Sequence, residues 1–373
     1  MQYRQYGDTD LMLSALGFGA MRLPADDDYA VECMVRALDL GVNFIDSAMG
    51  YRSAKPGAEP GHSEVLVGRA IKGRRDQVYL STKNSLGDGT AATWRANLEN
   101  SLGRLEVEKI DIYQVVHGMT WEAYTTKFQP KGGGLAEALK AREEGLVGYF
   151  GFSSHDTPEN IIRLIDEGIF KSIIVQYNLL DRKNEPVIAH AAESGLGVLI
   201  MGPVGGGRLG MPSQRLQDLL PGVSSTPELA LRFVLSNPNV TVAMSGMNTL
   251  EMVEENAATC SRTEALTAEE MRGIEQALAE NQRLAELYCT GCNYCMPCPN
   301  DVGIPQAFAA MNMHRVWGLT EAAKRQYGRL GPENRHGLLQ ADACVECGEC
   351  EEKCPQNIPI IEQLKETHQA LGE

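Results

Sequence analysis

Eight of the ten cysteines lie in two short runs near the C-terminus: Cys289, Cys292, Cys295 and Cys298, then Cys344, Cys347, Cys350 and Cys354. Each last cysteine is followed by proline, Pro299 and Pro355. The second run reads Cys-x2-Cys-x2-Cys-x3-Cys-Pro, the ligand spacing of bacterial ferredoxins; the first is one residue shorter in its last gap. Thiolates two residues apart can turn inward on one loop and share a cluster face, so the two runs point to two [4Fe–4S] clusters, with a single cluster on the second run as the alternative. In two-cluster ferredoxins the fourth cysteine of each run serves the other cluster. That rule assigns Cys289, Cys292, Cys295 and Cys354 to one cluster, and Cys344, Cys347, Cys350 and Cys298 to the other.

Other uses of so many thiols fit less well. Zinc takes four ligands, typically from two Cys-x2-Cys pairs. A disulfide framework requires an oxidising compartment. The N-terminus, MQYRQYGDTD, has no basic region followed by an apolar one, and no stretch reaches roughly 18 apolar residues, so a cytoplasmic protein without membrane contact is expected. Cys33 and Cys260 stand apart from the runs; Cys33 sits in a helical pattern and reads as a core thiol. The net charge of −15 is accompanied by no cluster of Lys and Arg, which disfavours nucleic-acid binding.

A second set of residues suits carbonyl reduction: Asp46, Tyr51, Lys83 and His117. A carbonyl that accepts hydride becomes an alkoxide and needs a proton. Free tyrosine, with a pKa near 10, is a poor donor at neutral pH, but a neighbouring ammonium favours its ionised form. Asp46 would hold Lys83 charged and oriented, and His117 would hydrogen-bond the carbonyl oxygen. Each residue alone is commonly structural; the set counts only if the fold converges it.

The elements that must do so are legible. Residues 3–13 read as a hairpin turning near Gly7 and Asp8. Short apolar runs then read as strands at 15–19, 44–46, 78–83, 110–116, 149–153, 173–176, 198–201 and 242–245. Helix-period stretches lie between them at 29–40, 63–71, 93–105, 135–144, 158–165, 185–194 and 227–235, with a last at 249–258. This alternation predicts a (β/α)8 TIM barrel, whose chemistry sits at the C-terminal ends of its strands. Asp46 ends the second strand and Lys83 the third, Tyr51 follows the second by five residues, and His117 follows the fourth. A doubly wound sheet is the alternative, but no GxGxxG follows the first strand. Residues 267–288 read as a long helix, and 305–313 and 320–327 as helices within a mainly helical, ferredoxin-like C-terminal domain. The predicted domains are a barrel over 1–265, a connecting helix over 266–288 and an iron–sulfur domain over 289–373. The loop GPVGGGRLG follows the seventh strand, where barrels often bind phosphate; the N–H groups of Gly202, Gly205 and Gly206 would meet a pyrophosphate.

The chain resembles the aldo-keto reductases, in particular bacterial members with a C-terminal iron–sulfur domain. FIDSAMGY is similar to the family's Asp-Thr-Ala-x-x-Tyr signature. GYFGFSSHD, QYNLLD and SGMNTLEMVEENAA resemble the segments that meet the nicotinamide and the adenosine end. The resemblance implies NAD(H)- or NADP(H)-dependent reduction of a small carbonyl compound by direct hydride transfer. It implies Ser153, Ser154 and Gln176 at the nicotinamide and Glu255 and Asn256 at the adenine, within a segment that includes Gly246, Met247, Asn248 and Met252.

Departures from the family pattern are specific. Asp111 and His117 are six apart where the family has five, which along an alternating strand would turn the histidine away unless a bulge absorbs the difference. Met201 stands where the family often stacks a tyrosine on the nicotinamide. Gly246 and Met252 stand where it often carries Lys and Arg for a 2′-phosphate, which favours NADH, with Arg208 as a substitute cation. An insert, RSAKPGAEPGH, follows Tyr51 and either shapes the substrate pocket or varies the surface. Trp121, Tyr124 and Phe128 either line that pocket or pack. Hydride moves two electrons and a cluster carries one, so the clusters would staple their domain, sense redox state or take electrons from a redox partner protein. The alternative functions are an electron-transfer or regulatory protein that keeps the barrel as a nucleotide-binding module, and a cluster-assisted one-electron reduction.

Overall fold

The computed structural model describes residues 1–372 except 221, 263–264, 290–292, 334–336 and 355–356; for 281–288 it describes the backbone alone. Two compact units result: Met1–Gly205 with Ala230–Ala265, and Gly206–Leu229 with Leu266–Glu373.

The first unit begins with an antiparallel hairpin, β1 (Tyr3–Gln5) and β2 (Met12–Ser14), in which Tyr3 faces Ser14. Gly7 between them has φ +56, and a Cβ there would lie 2.3 Å from the Gly195 carbonyl oxygen, so the turn tolerates only glycine. Eight parallel strands follow: β3 (Leu16–Gly19), β4 (Phe44–Asp46), β5 (Tyr79–Lys83), β6 (Ile110–Gln114), β7 (Val147–Ser153), β8 (Ser172–Gln176), β9 (Gly197–Met201) and β10 (Val242–Ser245). They pair in chain order and close when β10 joins β3. The TIM barrel read from the alternation is thus the fold.

Each barrel strand alternates inward and outward side chains, so one row fills the interior. Phe44, Ile112, Ile174, Leu199 and Val242 form that core with Tyr6 and Leu13 of the hairpin region. The helices start where side chains satisfy their first N–H groups: Asp26 accepts from Tyr29 N ahead of Asp27–Asp39, Thr90 from Thr93 N ahead of Ala91–Leu105, and Thr249 from Met252 N ahead of Leu250–Cys260. Cys33 and Cys260 are both fully buried.

The fourth strand differs from expectation. It ends at Gln114 rather than Val116, and Val115–Gly118 form a bend. The segment 118–134 also holds more structure than a loop: a turn of helix, Trp121–Ala123, runs into a wider π turn, Tyr124–Phe128.

In the second unit, Ile304–Arg315, Thr320–Tyr327 and Ile360–Leu371 are helices around Phe308, Leu319, Ala323 and Leu364. The Tyr327 hydroxyl accepts from Ala341 N at 2.8 Å and bonds His368 Nδ1 at 3.0 Å, tying the middle of the unit to its last helix. Ser213 and Trp317 are joined at 2.7 Å, which places the 206–229 segment in this unit. The helix Ala268–Tyr288 precedes the first cysteine run. Among the described residues no helix is long and apolar enough to cross a membrane.

Candidate active site and cysteine centre

Lys83 is the hub of the barrel mouth. Strand alternation puts Ser81 and Lys83 on the inner face of β5, next to Asp46 at the end of β4. Both ionised groups are buried, Asp46 at 4% and Lys83 at 2% exposure. The Lys83 ammonium donates to the Asp46 carboxylate and, at 2.7 Å, to the Ser47 carbonyl. Ser81 donates its hydroxyl to the other Asp46 oxygen at 2.9 Å. Burial opposes the Lys83 charge, but Asp46 and Tyr51 outweigh it and hold the pKa above its ordinary value.

Tyr51 and His117 complete the group. The Lys83 nitrogen lies 4.9 Å from the centroid of the Tyr51 ring, and the His117 ring meets that ring edge-on at 5.8 Å. The Tyr51 carbonyl accepts from Gly61 N at 3.0 Å, and Ser63 bonds both Ser47 and the Ala20 carbonyl, so the loop is fixed from both sides. His117 reaches the site because its strand stops early. Pairing of β6 with β7 keeps one register from Ile110–Val147 to Gln114–Gly151, so no bulge absorbs the extra residue. The bend after Gln114 does: His117 N donates to Asn84 O at 2.8 Å and Gly118 N to the Ser153 hydroxyl at 3.0 Å. The His117 ring is exposed at the mouth, yet partial desolvation, then the charges of Lys83 and His155, lower its pKa against the pull of Asp46.

The residues expected at a nicotinamide separate into two groups. Ser153 and Ser154 are buried at the end of β7, but the Ser154 proton is given to the Met119 carbonyl at 2.7 Å, leaving Ser153 the freer hydroxyl. Gln176 is half-buried, and Met201 likewise. Gly202, at φ +63, passes so close to Gln176 that a Cβ would lie 2.7 Å from its amide. The glycine run continues with positive φ at Gly205, Gly206 and Gly207. Gly205 belongs to the first unit; Gly206 and the exposed Arg208 belong to the second. At the other end, Gly246 is half-buried and abuts Arg22, Met247 is fully buried, and Asn248, Met252 and Glu255 are exposed. Asn256 is buried and donates to the Ser245 hydroxyl at 3.1 Å.

Residues of the mouth that reading by type overlooked are Ser81, Asn84 and His155. Ser81 was findable, since it shares a strand face with Lys83 two positions on. Asn84 and His155 follow strand ends directly and carried no further signal. Of the aromatic trio, Tyr124 and Phe128 are buried and pack; Trp121 alone keeps exposure, stacked on Tyr124 at 5.9 Å with Arg163 over it at 4.5 Å. The insert after Tyr51 is tied down by Asp27, which takes Lys55 at 2.5 Å and His62 at 2.9 Å. Those two contacts, His62 first, hold the Asp27 carboxyl below its usual range.

In the second unit, Cys295, Cys298, Cys344, Cys347 and Cys350 line one pocket floored by Ile361 and Leu364. Cys298, Cys344, Cys347 and Cys350 are in no disulfide. They are the four assigned to one cluster by the ferredoxin rule, and their thiols are the donor type that a cubane takes; Cys295, assigned to the other cluster, lines the same pocket. Among the described residues no three His, Cys, Asp or Glu converge as ligands of a single ion do. The Cys350 thiol is pushed up to about 11, by burial before the nearby Cys344, Glu351 and Cys347, so binding a cluster there must displace its proton. Cys289 and Cys354 are half-buried outside this pocket, and Cys292 lies outside the described residues.

Comparison with known proteins agrees with both halves. Residues 15–221 match the model of the aldo/keto reductase family, and 288–358 that of the 4Fe-4S dicluster domain. The chain is 27% identical to the uncharacterized oxidoreductase YqkF of Bacillus subtilis, over 74% of this chain and 96% of that protein. It is 26% identical to the NADH-specific methylglyoxal reductase of Escherichia coli, over 68% and 91%. Among solved structures, the aldo-keto reductase AKR11C1 of Bacillus halodurans in its holo form matches at TM-score 0.64 and 32% identity, covering 74% of this chain and 96% of that one.

Proposed function

Because the chain belongs to the aldo/keto reductase family, with a 4Fe-4S domain at its C-terminal end, we propose that it reduces a small aldehyde or ketone with NAD(P)H, Tyr51 giving the proton. The observation that carries this reading is the buried Asp46–Lys83 pair 4.9 Å from the Tyr51 ring. An ammonium held there by a carboxylate places a fixed positive charge beside the group that turns negative as it gives up its proton. His117, with its pKa lowered, is mainly neutral at pH 7 and offers an N–H to the substrate oxygen without adding a charge.

A bound nicotinamide would supply the hydride. Ser153 and Gln176 would hold its carboxamide, with Ser154 acting mainly through the loop it fastens, and Met201 would lie against the ring. The N–H groups of Gly202 and Gly205 would take the pyrophosphate. The segment from Gly246 to Asn256 would take the adenosine end, with Glu255 and Asn256 at the adenine. Gly246 and Met252 themselves offer no cation to a 2′-phosphate, which favours NADH, as in the NADH-specific relative; Arg22, packed against Gly246, is the cation at hand that would reverse this.

For the C-terminal part, the reading is two [4Fe–4S] clusters, one on Cys298, Cys344, Cys347 and Cys350 and one on Cys289, Cys292, Cys295 and Cys354. All four of the first set line one pocket, together with Cys295 of the second, so the grouping rests on the ferredoxin spacing. The domain division proposed is a barrel over 1–265, a connecting helix over 266–288 and a cluster domain over 289–373, with the 206–229 segment grouped in the second compact unit.

Tyr51→Phe tests the carbonyl chemistry. Turnover should fall by roughly 10²–10⁴-fold while NAD(P)H still binds, as read by nicotinamide fluorescence. Wild-type turnover in that variant would remove Tyr51 as the acid.

A further inference from the structure

Three basic side chains stand at the C-terminal ends of three consecutive barrel strands. His117 follows β6, His155 follows β7, and Lys183 lies in the loop after β8. Their backbones are fastened to those ends. Met119 N donates to Ser153 O at 2.7 Å, and Ser154 N to Ile174 O at 3.1 Å. Asn184, next to Lys183, donates its side-chain amide to Gln176 O at 2.8 Å.

His117 is accounted for by the proton chemistry; the other two are not. His155 and Lys183 are exposed, and among the described residues no acidic side chain pairs with either. Two of the three carboxylates of the same loops are engaged elsewhere, and the third, Asp181, is half-buried and, among the described residues, forms no ion pair with either base. Asp156 accepts from Trp121 N at 2.9 Å and Thr157 N at 2.8 Å. Glu185 takes Arg182 at 2.7 Å and the Tyr177 hydroxyl at 3.2 Å. The basic groups feel each other: His155 helps depress His117, and Lys183, after burial, depresses His155. An uncompensated basic set in a chain of net charge −15 draws in an external anion.

We propose that His155 and Lys183 form an anion subsite beside the carbonyl position, so that the substrate is a carbonyl compound bearing a carboxylate or a phosphate-type group. This rests on the reading of Tyr51 and His117 as the carbonyl site. Lys183 supplies a point charge and His155 a ring N–H; the anion, once seated, favours the protonated imidazole.

The test compares acetaldehyde with glyoxylate and with phosphonoacetaldehyde in the wild type, Lys183→Ala and His155→Ala. The ratio of kcat/KM for the better anionic aldehyde to that for acetaldehyde should fall about tenfold in each variant, the loss of one charge-assisted contact. Which anionic aldehyde the wild type prefers identifies the group. An unchanged ratio would overturn the subsite. So would a rise in the KM for NAD(P)H that accounts for the whole effect, since the pair would then serve the cofactor's phosphates. A readout independent of turnover separates this proposal from the reductase reading. Titration with inorganic phosphate should shift the His155 ring resonances in the wild type and much less in Lys183→Ala; no shift in the wild type overturns the subsite even if Tyr51 proves to be the acid.

Discussion

Lys83 bears a charge in a place that burial alone would neutralise, and its two neighbours decide the outcome. Asp46 fixes the ammonium, and the ammonium in turn acts on Tyr51. Lys83→Met should therefore reduce kcat by about 10²-fold or more, measured at saturating NAD(P)H, because the proposed proton donor loses the positive charge held beside its ring. His117 gives a signed pH prediction. Its pKa lies below the ordinary 6.5, under desolvation and the fields of Lys83 and His155, with Asp46 opposing and the Tyr51 ring against it. In the role proposed for His117 the neutral ring is the working form, so the acid limb of the kcat profile should fall below pH 6.5, and His117→Gln should abolish that limb. A limb centred above 6.5 would reassign it. Asp46, Tyr51 and Lys83 were legible as a set because their types and strand-end spacing agree with one chemistry. His117 was harder to place, since alternation was counted through to Val116 whereas the strand stops at Gln114 and a bend turns the ring back.

At the scale of elements, two contacts carry the mouth. Gly202 crosses directly over the Gln176 amide at φ +63. Gly202→Ala should destabilise the first unit by about 1–2 kcal/mol by chemical denaturation and weaken NAD(P)H binding, because the added carbon must displace the amide as well as adopt a left-handed backbone. Below the mouth, Glu64 of the helix His62–Ile71 is fully buried, accepting from Thr82 at 2.7 Å and pairing with Arg104 at 3.1 Å. It joins that helix to β5 and to the helix Ala91–Leu105. Glu64→Ala should cost about 3 kcal/mol, since it strands a hydroxyl and a guanidinium at once. Hydrophobic period located the barrel strands and helices because each has one buried face. It did not resolve the 121–128 turns, where glycines 132–134 and mixed polarity hide the pattern, nor the helix Ile360–Leu371, which follows the second cysteine run closely enough for ligand spacing to dominate the pattern.

For the whole molecule, two units imply two stabilities. The first has a closed barrel core. The second rests on helices of modest length and, in the proposed holo form, on its clusters, whose binding free energy is folding free energy. Anaerobic removal of iron should lower the unfolding midpoint of the second unit and leave that of the barrel in place; a single transition insensitive to iron would argue against a stapling role. Cysteine spacing made the cluster domain readable without any fold, because ligand geometry is local. The proposed anion subsite was not readable that way, since only the order of the barrel strands brings His155 and Lys183 to neighbouring strand ends. The central claim, that the barrel passes hydride directly to a carbonyl beside Tyr51, is tested most directly with nicotinamide deuterated at C4 on the transferred face. The account predicts deuterium on the carbinol carbon of the product, with no requirement for a one-electron donor. Product free of deuterium, or formed only when a one-electron donor is supplied, would contradict it and move the chemistry to the clusters.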